Sequence, residues 1–172
     1  MGKRKNVILI GMPACGKSSI GVVLAKRTGR SFIDGDLVIQ EQTGRLLKEL
    51  IEEYGDDGFR GIEDRVCAEI KAENAVIAPG GSVVYGERAM AHLREIGTIV
   101  YLKLPYTVIR SRLGSLKARG VTMKKGQTLR GLYDERIRLY ERYADIVIEE
   151  NGLSTRQTVE AVVRALGEEE SE

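Results

Sequence analysis

The most constraining stretch begins at Asn6, where Val7-Ile8-Leu9-Ile10 form an unbroken aliphatic run that Gly11 ends. Gly11-Met12-Pro13-Ala14-Cys15-Gly16-Lys17-Ser18 fits G-x-x-x-x-G-K-S, and Ser19 leads into the helical spacing of residues 20–27. An aliphatic run of this kind reads as a strand buried on both faces, and strand, glycine loop and helix together form the opening unit of a parallel sheet. That context gives the loop a mechanism. The N–H groups of residues 14–18 would cradle phosphates, with the positive end of the helix dipole facing the same anion. Gly11 and Gly16 let the backbone approach the ligand, while Ala14, Cys15 and Ser19 complete the cradle. Lys17 would reach the β- and γ-phosphates, and Ser18 would ligate Mg²⁺. The alternative is a glycine-rich strand-to-helix turn without a ligand, and the flanking elements favour ATP or another nucleoside triphosphate.

Strand and helix patterns then alternate to the end of the chain. Strands are expected at 31–33, 75–78, 98–104 and 145–148, and helices at 37–54, 57–72, 86–95, 105–114 and 129–143. Thr155 is the expected cap of the last helix. Gly44, Gly55 and Gly58 punctuate the helical region between the second and third strands. Residues 115–128 are basic, glycine-bearing and aperiodic, which suits a mobile lid. The pattern is α/β, a three-layer sandwich with a five-stranded parallel sheet, in one domain spanning 1–172. The chain's 172 residues suffice for one substantial core. Ligands in such folds bind beyond the carboxyl ends of the strands.

Charge narrows the partners. With 27 basic and 25 acidic residues, the net charge of +2 argues against nucleic acid as an obligate partner. No apolar run is long enough to span a membrane, and the basic start Met1-Gly2-Lys3-Arg4-Lys5 is not followed by a signal region. Cys15 and Cys67 lie in the loop and in a helix, so neither suits a disulfide framework, and a cytoplasmic setting is expected. His92 is expected to be exposed and plays no part in a dyad.

The polar residues worth singling out lie at strand tips or on helices facing them. Asp34 and Asp36 share one tip. They could form an Asx-turn capping the helix at Leu37, but beside a phosphate loop one can enter the Mg²⁺ shell while the other accepts a hydroxyl proton. Arg60 and Glu63 could be a surface ion pair, or an arginine fork presented to a carboxylate with Phe59 as an apolar wall. Gly80 and Gly81 could form a tight turn or admit a ligand close to the backbone. Arg119 and Arg136 could each be solvated charges; Arg119 could also reach over a transferring phosphoryl group. Arg156 lies at the last strand tip and is assigned to the nucleotide.

These residues together resemble the shikimate kinases, within the nucleoside-monophosphate-kinase-like P-loop kinases. The resemblance runs from Gly11 to the strand at 145–148. It includes Asp34-Gly35-Asp36, Phe59-Arg60-Gly61-Ile62-Glu63 and Arg136-Ile137-Arg138-Leu139-Tyr140. It implies the strand order 2-3-1-4-5. It implies that Asp34 joins the Mg²⁺ shell and that Asp36 holds the acceptor and acts as base. Arg60 and Arg136 would bind the acceptor's carboxylate, Arg119 would neutralise the γ-phosphoryl group, and Arg112 would flank adenine. Two places depart from the family pattern: its glycine triplet reads Gly80-Gly81-Ser82 here, or Pro79-Gly80-Gly81 if the alignment slips by one, and its lid reads Arg119-Gly120-Val121-Thr122-Met123.

The expected activity is ATP-dependent phosphorylation of a hydroxyl on a small carboxylic acid, shikimate first, by a monomer using ATP and Mg²⁺. The rivals are a kinase of the same fold acting on a sugar acid or nucleoside monophosphate, and a non-catalytic ATP-dependent regulatory module. Two Phe and no Trp leave little to stack on a base acceptor.

Overall fold

The structure is a computed structural model that describes residues 6–113, 121 and 123–169. The order of elements is β1 (Asn6–Ile10), α1 (Lys17–Thr28), β2 (Ser31–Asp34), α2 (Gly35–Thr43), α3 (Leu47–Ala68), β3 (Ala75–Ala78), α4 (Glu87–Ile96), β4 (Gly97–Lys103), α5 (Tyr106–Arg112), α6 (Leu129–Tyr143), β5 (Ile146–Glu149) and α7 (Thr155–Ala165). The strands are all parallel, in the order β2-β3-β1-β4-β5. β1 is buried along its whole length, as its aliphatic run requires of a central strand.

Right-handed crossovers decide the layers. The link from β1 through α1 to β2 runs one way across the sheet, while those from β2, β3 and β4 run the other way. This sends α1 to one face and α3, α4 and α6 to the other. α7 packs against α1, and α3 against α4. The main core lies between these layers, with a smaller cluster of Ile39, Leu50, Phe59 and Val66 under α2 and α3.

Several boundaries differ from those expected. The stretch 37–54 is two helices, because Gly44 takes the left-handed conformation (φ 68°) and its N–H closes on Gln40 O. Gly55 (φ 71°, ψ 179°) kinks α3 as its glycine suggested, whereas Gly58 interrupts nothing. α3 stops at Ala68 rather than 72. The last helix is capped by Ser154 rather than Thr155: Ser154 Oγ accepts the Gln157 N–H, and Gln157 Oε1 accepts the Ser154 N–H in return. His92 is half-buried rather than exposed, with Nε2 2.6 Å from Ile70 O.

Asn6, the one polar residue of β1, ties three segments together. Its Nδ2 donates to Ala72 O (2.8 Å) and Ile96 O (3.0 Å), and its Oδ1 accepts the Ala75 N–H (2.9 Å). Asn6→Ala would strand these groups in a site only 4% exposed. Each buried unpaired group costs ~1–3 kcal/mol, so the variant should lose roughly 2–4 kcal/mol of stability, measured by urea unfolding. A loss below about 1 kcal/mol would mean that water replaces the amide.

Candidate active site

β1 and β3 are neighbours whose connections leave in opposite directions to opposite faces, which opens a crevice beyond their carboxyl ends. A cavity of about 400 Å³ lies there. One wall comes from the loop after β1 (Pro13, Ala14 and Gly16 to Ser19), another from the β3 tip (Ala78 to Ser82). Asp34, Asp36, Leu47, Phe59 and Glu63 reach it from β2, α2 and α3, Arg136 from α6, and Val121 from the segment before α6.

On the loop side, Ala14 (φ 66°) and Gly16 (φ 90°) both adopt left-handed backbone, and the Cys15 N–H closes on Met12 O at 3.1 Å. Such a curl forms a concave nest of backbone amides. Gly11 is needed for space: a Cβ there would lie 2.8 Å from Leu102 O and 2.9 Å from Cys15 Sγ. Lys17 Nζ donates to Gly11 O (2.9 Å) and Met12 O (3.0 Å). Ser18 Oγ donates to Asp34 Oδ2 at 3.2 Å, so both expected Mg²⁺ ligands converge as hard oxygen donors at one point. A hydroxyl and a carboxylate side by side fit Mg²⁺, which takes few protein ligands and fills the rest with water and phosphate. Asp34 also caps α2, its Oδ1 accepting the N–H groups of Asp36 and Leu37, so the Asx reading and the ligand reading use different oxygens of one carboxylate. Arg112 Nη1 donates to Ala14 O at 3.1 Å and thus lies against the loop.

On the other side, Gly80 separates two carboxyl groups. A Cβ there would stand 2.8 Å from both Asp36 Oδ1 and Glu63 Oε2. Gly81 is hemmed by Pro13 and Arg136 Nη1, and its carbonyl accepts the Tyr140 hydroxyl at 2.6 Å. Burial raises the Asp36 carboxyl above its ordinary value, the charge of Asp34 raises it further, and Lys17 opposes both. Phe59 is buried in the α2–α3 cluster and presents its ring to the cavity.

Glu63 does not hold Arg60 as expected: no ion pair closes between them within 4.0 Å. Glu63 Oε1 instead accepts the Ser82 hydroxyl at 2.5 Å, so the residue that breaks the glycine triplet has acquired a partner. Arg60 stacks on Tyr85, its Cζ 3.8 Å from the ring centroid, and Arg136 lies near the same ring at 5.5 Å. Tyr85 was missed from sequence because it sits in a three-residue 3-10 turn (Val83–Tyr85) with no periodicity to mark it.

Three further positions complete the account. Arg156 is exposed in the first turn of α7 and does not line the cavity. Arg119 lies outside the described residues, as do residues 115–118, 120 and 122 of the lid segment 115–128. Glu150, just beyond β5, is 6% exposed, and its Oε2 has no hydrogen-bond partner among the described residues. A buried carboxylate beside a phosphate loop is a feature that its sequence, one Glu in an acidic pair, did not advertise.

Burial pushes Glu63 up to about 7 from an ordinary 4.5, although the Ser82 hydroxyl and both arginines oppose it. Burial likewise pushes Glu150 up to about 7 against Arg112 and Lys17. Both groups bind a proton more tightly when folded, so their stabilising contribution is complete below about 4.5 and is lost as pH rises through about 7. Across that window each should cost on the order of 1–3 kcal/mol. Glu63→Gln and Glu150→Gln should each flatten the decline of the urea midpoint with pH. An unchanged slope in both would show that these carboxyls titrate normally.

The shikimate kinase family profile matches residues 13–167. A shikimate kinase from Clostridium botulinum is 39% identical over 141 residues, covering 81% of this chain and 84% of its own length. Among solved structures, the shikimate kinase from Acinetobacter baumannii in complex with shikimate superposes with a TM-score of 0.86 at 30% identity, covering 95% of this chain and 93% of that one. The shikimate kinase from Aquifex aeolicus superposes with a TM-score of 0.80 at 27% identity, covering 94% and 96%.

Proposed function

The chain belongs to the shikimate kinase family, and from that premise we propose that it transfers the γ-phosphoryl group of ATP to a hydroxyl of shikimate, giving shikimate 3-phosphate. The observation that carries the reading is the single cavity that joins Lys17 and Ser18 to Asp36, Glu63 and Arg136. One end offers a cation and amides to polyphosphate, the other a carboxylate base and the Arg136 guanidinium to a hydroxylated acid, while Arg60, one residue on from the lining Phe59, is not itself among the lining residues.

In this reading the loop and Lys17 hold the β- and γ-phosphates, with Ser19 and Arg112 beside them and Arg156 nearer the nucleoside. Ser18 and Asp34 would hold Mg²⁺, which would supply positive charge to the transferring group. Asp36 orients the acceptor hydroxyl and takes its proton as the new O–P bond forms and the bond to ADP breaks. Phosphoryl transfer asks mainly for positioning and charge neutralisation, which these residues provide. Gly80 and Gly81 admit the acceptor beside the backbone, Phe59 walls it, and Arg60 and Arg136 bind its carboxylate. Arg119 is assigned to the γ-phosphoryl group by family resemblance.

One domain (1–172) carries both half-sites, and the enzyme is taken to act as a monomer. Among the described residues no helix is long and apolar enough to cross a membrane. The free buried thiols of Cys15 and Cys67 suit the reducing cytoplasm.

A charge-assisted contact contributes ~1.5–3 kcal/mol, so Arg60→Ala should raise KM for shikimate about ten- to a hundredfold. KM for ATP should move less than about threefold. Equal shifts in both, read in a coupled ADP-release assay, would remove Arg60 from the acceptor site. Turnover of a sugar acid or a nucleoside monophosphate in preference to shikimate would favour the rival kinase. ATP binding without acceptor-stimulated ADP release would favour the regulatory module.

A further inference from the structure

Arg60 is held in an unusual way for a buried-side arginine. Among the described residues no carboxylate pairs with it within 4.0 Å, and its Nε and Nη2 are buried without a hydrogen-bond partner there. What it has is the face of Tyr85, 3.8 Å from Cζ to the ring centroid. The guanidinium of Arg136 approaches the same ring at 5.5 Å. Two like charges so close repel one another, and the negative face of an aromatic ring offsets part of that repulsion. Stacking also has a geometric consequence. It engages the flat face of a guanidinium and leaves the N–H edge, the part that grips a carboxylate in two parallel bonds, uncommitted.

The ring is itself anchored. The turn that carries it is closed by the Tyr85 N–H on Ser82 O (3.1 Å) and the Gly86 N–H on Val83 O (2.9 Å). The Tyr85 hydroxyl donates to Glu135 Oε1 at 2.5 Å. Glu135 Oε2 in turn accepts from Gln127 Nε2 at 3.2 Å and lies 3.9 Å from Lys124 Nζ. The chain entering α6 therefore fixes the carboxylate that fixes the ring.

We propose that Tyr85 is a positioning residue for acceptor binding: its ring holds Arg60 by the face, Glu135 fixes the ring, and the N–H edge of Arg60 is thereby kept for the acceptor's carboxylate. The proposal rests on the acceptor-clamp reading given above, and its test separates the two. Tyr85→Leu removes the platform, Tyr85→Phe keeps the ring without its tether, and Glu135→Gln weakens the tether alone. Each is assayed with shikimate and with its methyl ester, which lacks the negative charge, and Arg60→Ala serves as comparator.

Tyr85→Leu should raise KM for shikimate roughly 5- to 30-fold, the loss expected for partly desolvated cation–π contacts. KM for ATP and kcat/KM for the ester should stay within about twofold of the parent, so discrimination between acid and ester collapses. Tyr85→Phe and Glu135→Gln should raise KM for the acid about two- to fivefold, again sparing the ester. These two variants decide the matter if Tyr85→Leu does not fold. Equal losses with acid and ester would mean a merely structural residue and overturn the proposal. If Arg60→Ala raises KM for the acid while no Tyr85 or Glu135 variant does, the platform fails and the clamp stands. If Arg60→Ala leaves that KM unchanged, the clamp fails and the platform falls with it.

Discussion

Lys17→Ala should lower kcat with shikimate by roughly 10²- to 10³-fold, the scale seen when a preorganised charge-stabilising donor is removed from a reacting centre. The ammonium bridges Gly11 O and Met12 O, so it shapes the loop as well as supplying charge. The two roles can be separated. Lys17→Met retains much of the stem but not the charge, and should fold with an unfolding midpoint near the parent's while losing as much turnover as the alanine variant. Single-turnover kinetics at saturating ATP would measure the chemical step directly. An active Lys17→Ala enzyme would remove the phosphate-loop mechanism and leave the nucleotide without its main cation in the cavity.

Asp36→Asn is the second large effect. A positioned general base contributes about 10²- to 10⁴-fold, and the amide has the carboxylate's size but cannot take a proton. The substitution respects the space beside Gly80, where Asp36 Oδ1 is close-packed, so binding of both substrates should change little. The loss should therefore fall on kcat. Because burial and Asp34 raise the Asp36 carboxyl, the wild-type rate should decline on the acidic side at a higher pH than an ordinary aspartate would impose. The residual activity of the asparagine variant should lack that acidic limb. A variant with parental kcat would show that Asp36 only orients the hydroxyl.

What could be read before any coordinates follows from the physics of each feature. The strand, loop and helix at 6–28 are local: aliphatic run, glycines and helical spacing sit in consecutive residues, and the structure reproduces them. The strand order came with the family resemblance and matches the sheet. Boundaries failed where a single backbone conformation decided them, as at Gly44, whose left-handed geometry splits one expected helix into two. The same holds at Ser154, one residue before the expected cap. In the site, Asp34 and Asp36 were visible because they neighbour each other along the chain. The partners of Glu63 and Arg60 were not, because Ser82 and Tyr85 meet them only through the packing of α3 against the turn after β3. Arg60 and Glu63 look like an ion pair at helical spacing, yet each has found a different long-range neighbour.

The position of β1 between β3 and β4 has a consequence for how such a chain could be re-engineered. Groups assigned to the acceptor, from Asp36 through Phe59 and Arg60 to Gly81, come from one uninterrupted run of sequence on the β2–β3 flank, whereas the triphosphate loop follows β1 itself. That run is in effect an exchangeable cassette. A kinase for a different hydroxy acid could be made by transplanting it into an unchanged nucleotide-binding frame, provided the donor's counterpart of Arg136 travels with it. Arg136 arrives late in the chain from α6 and lies beside Gly81, so with the Ser18–Asp34 hydrogen bond it ties the two halves together.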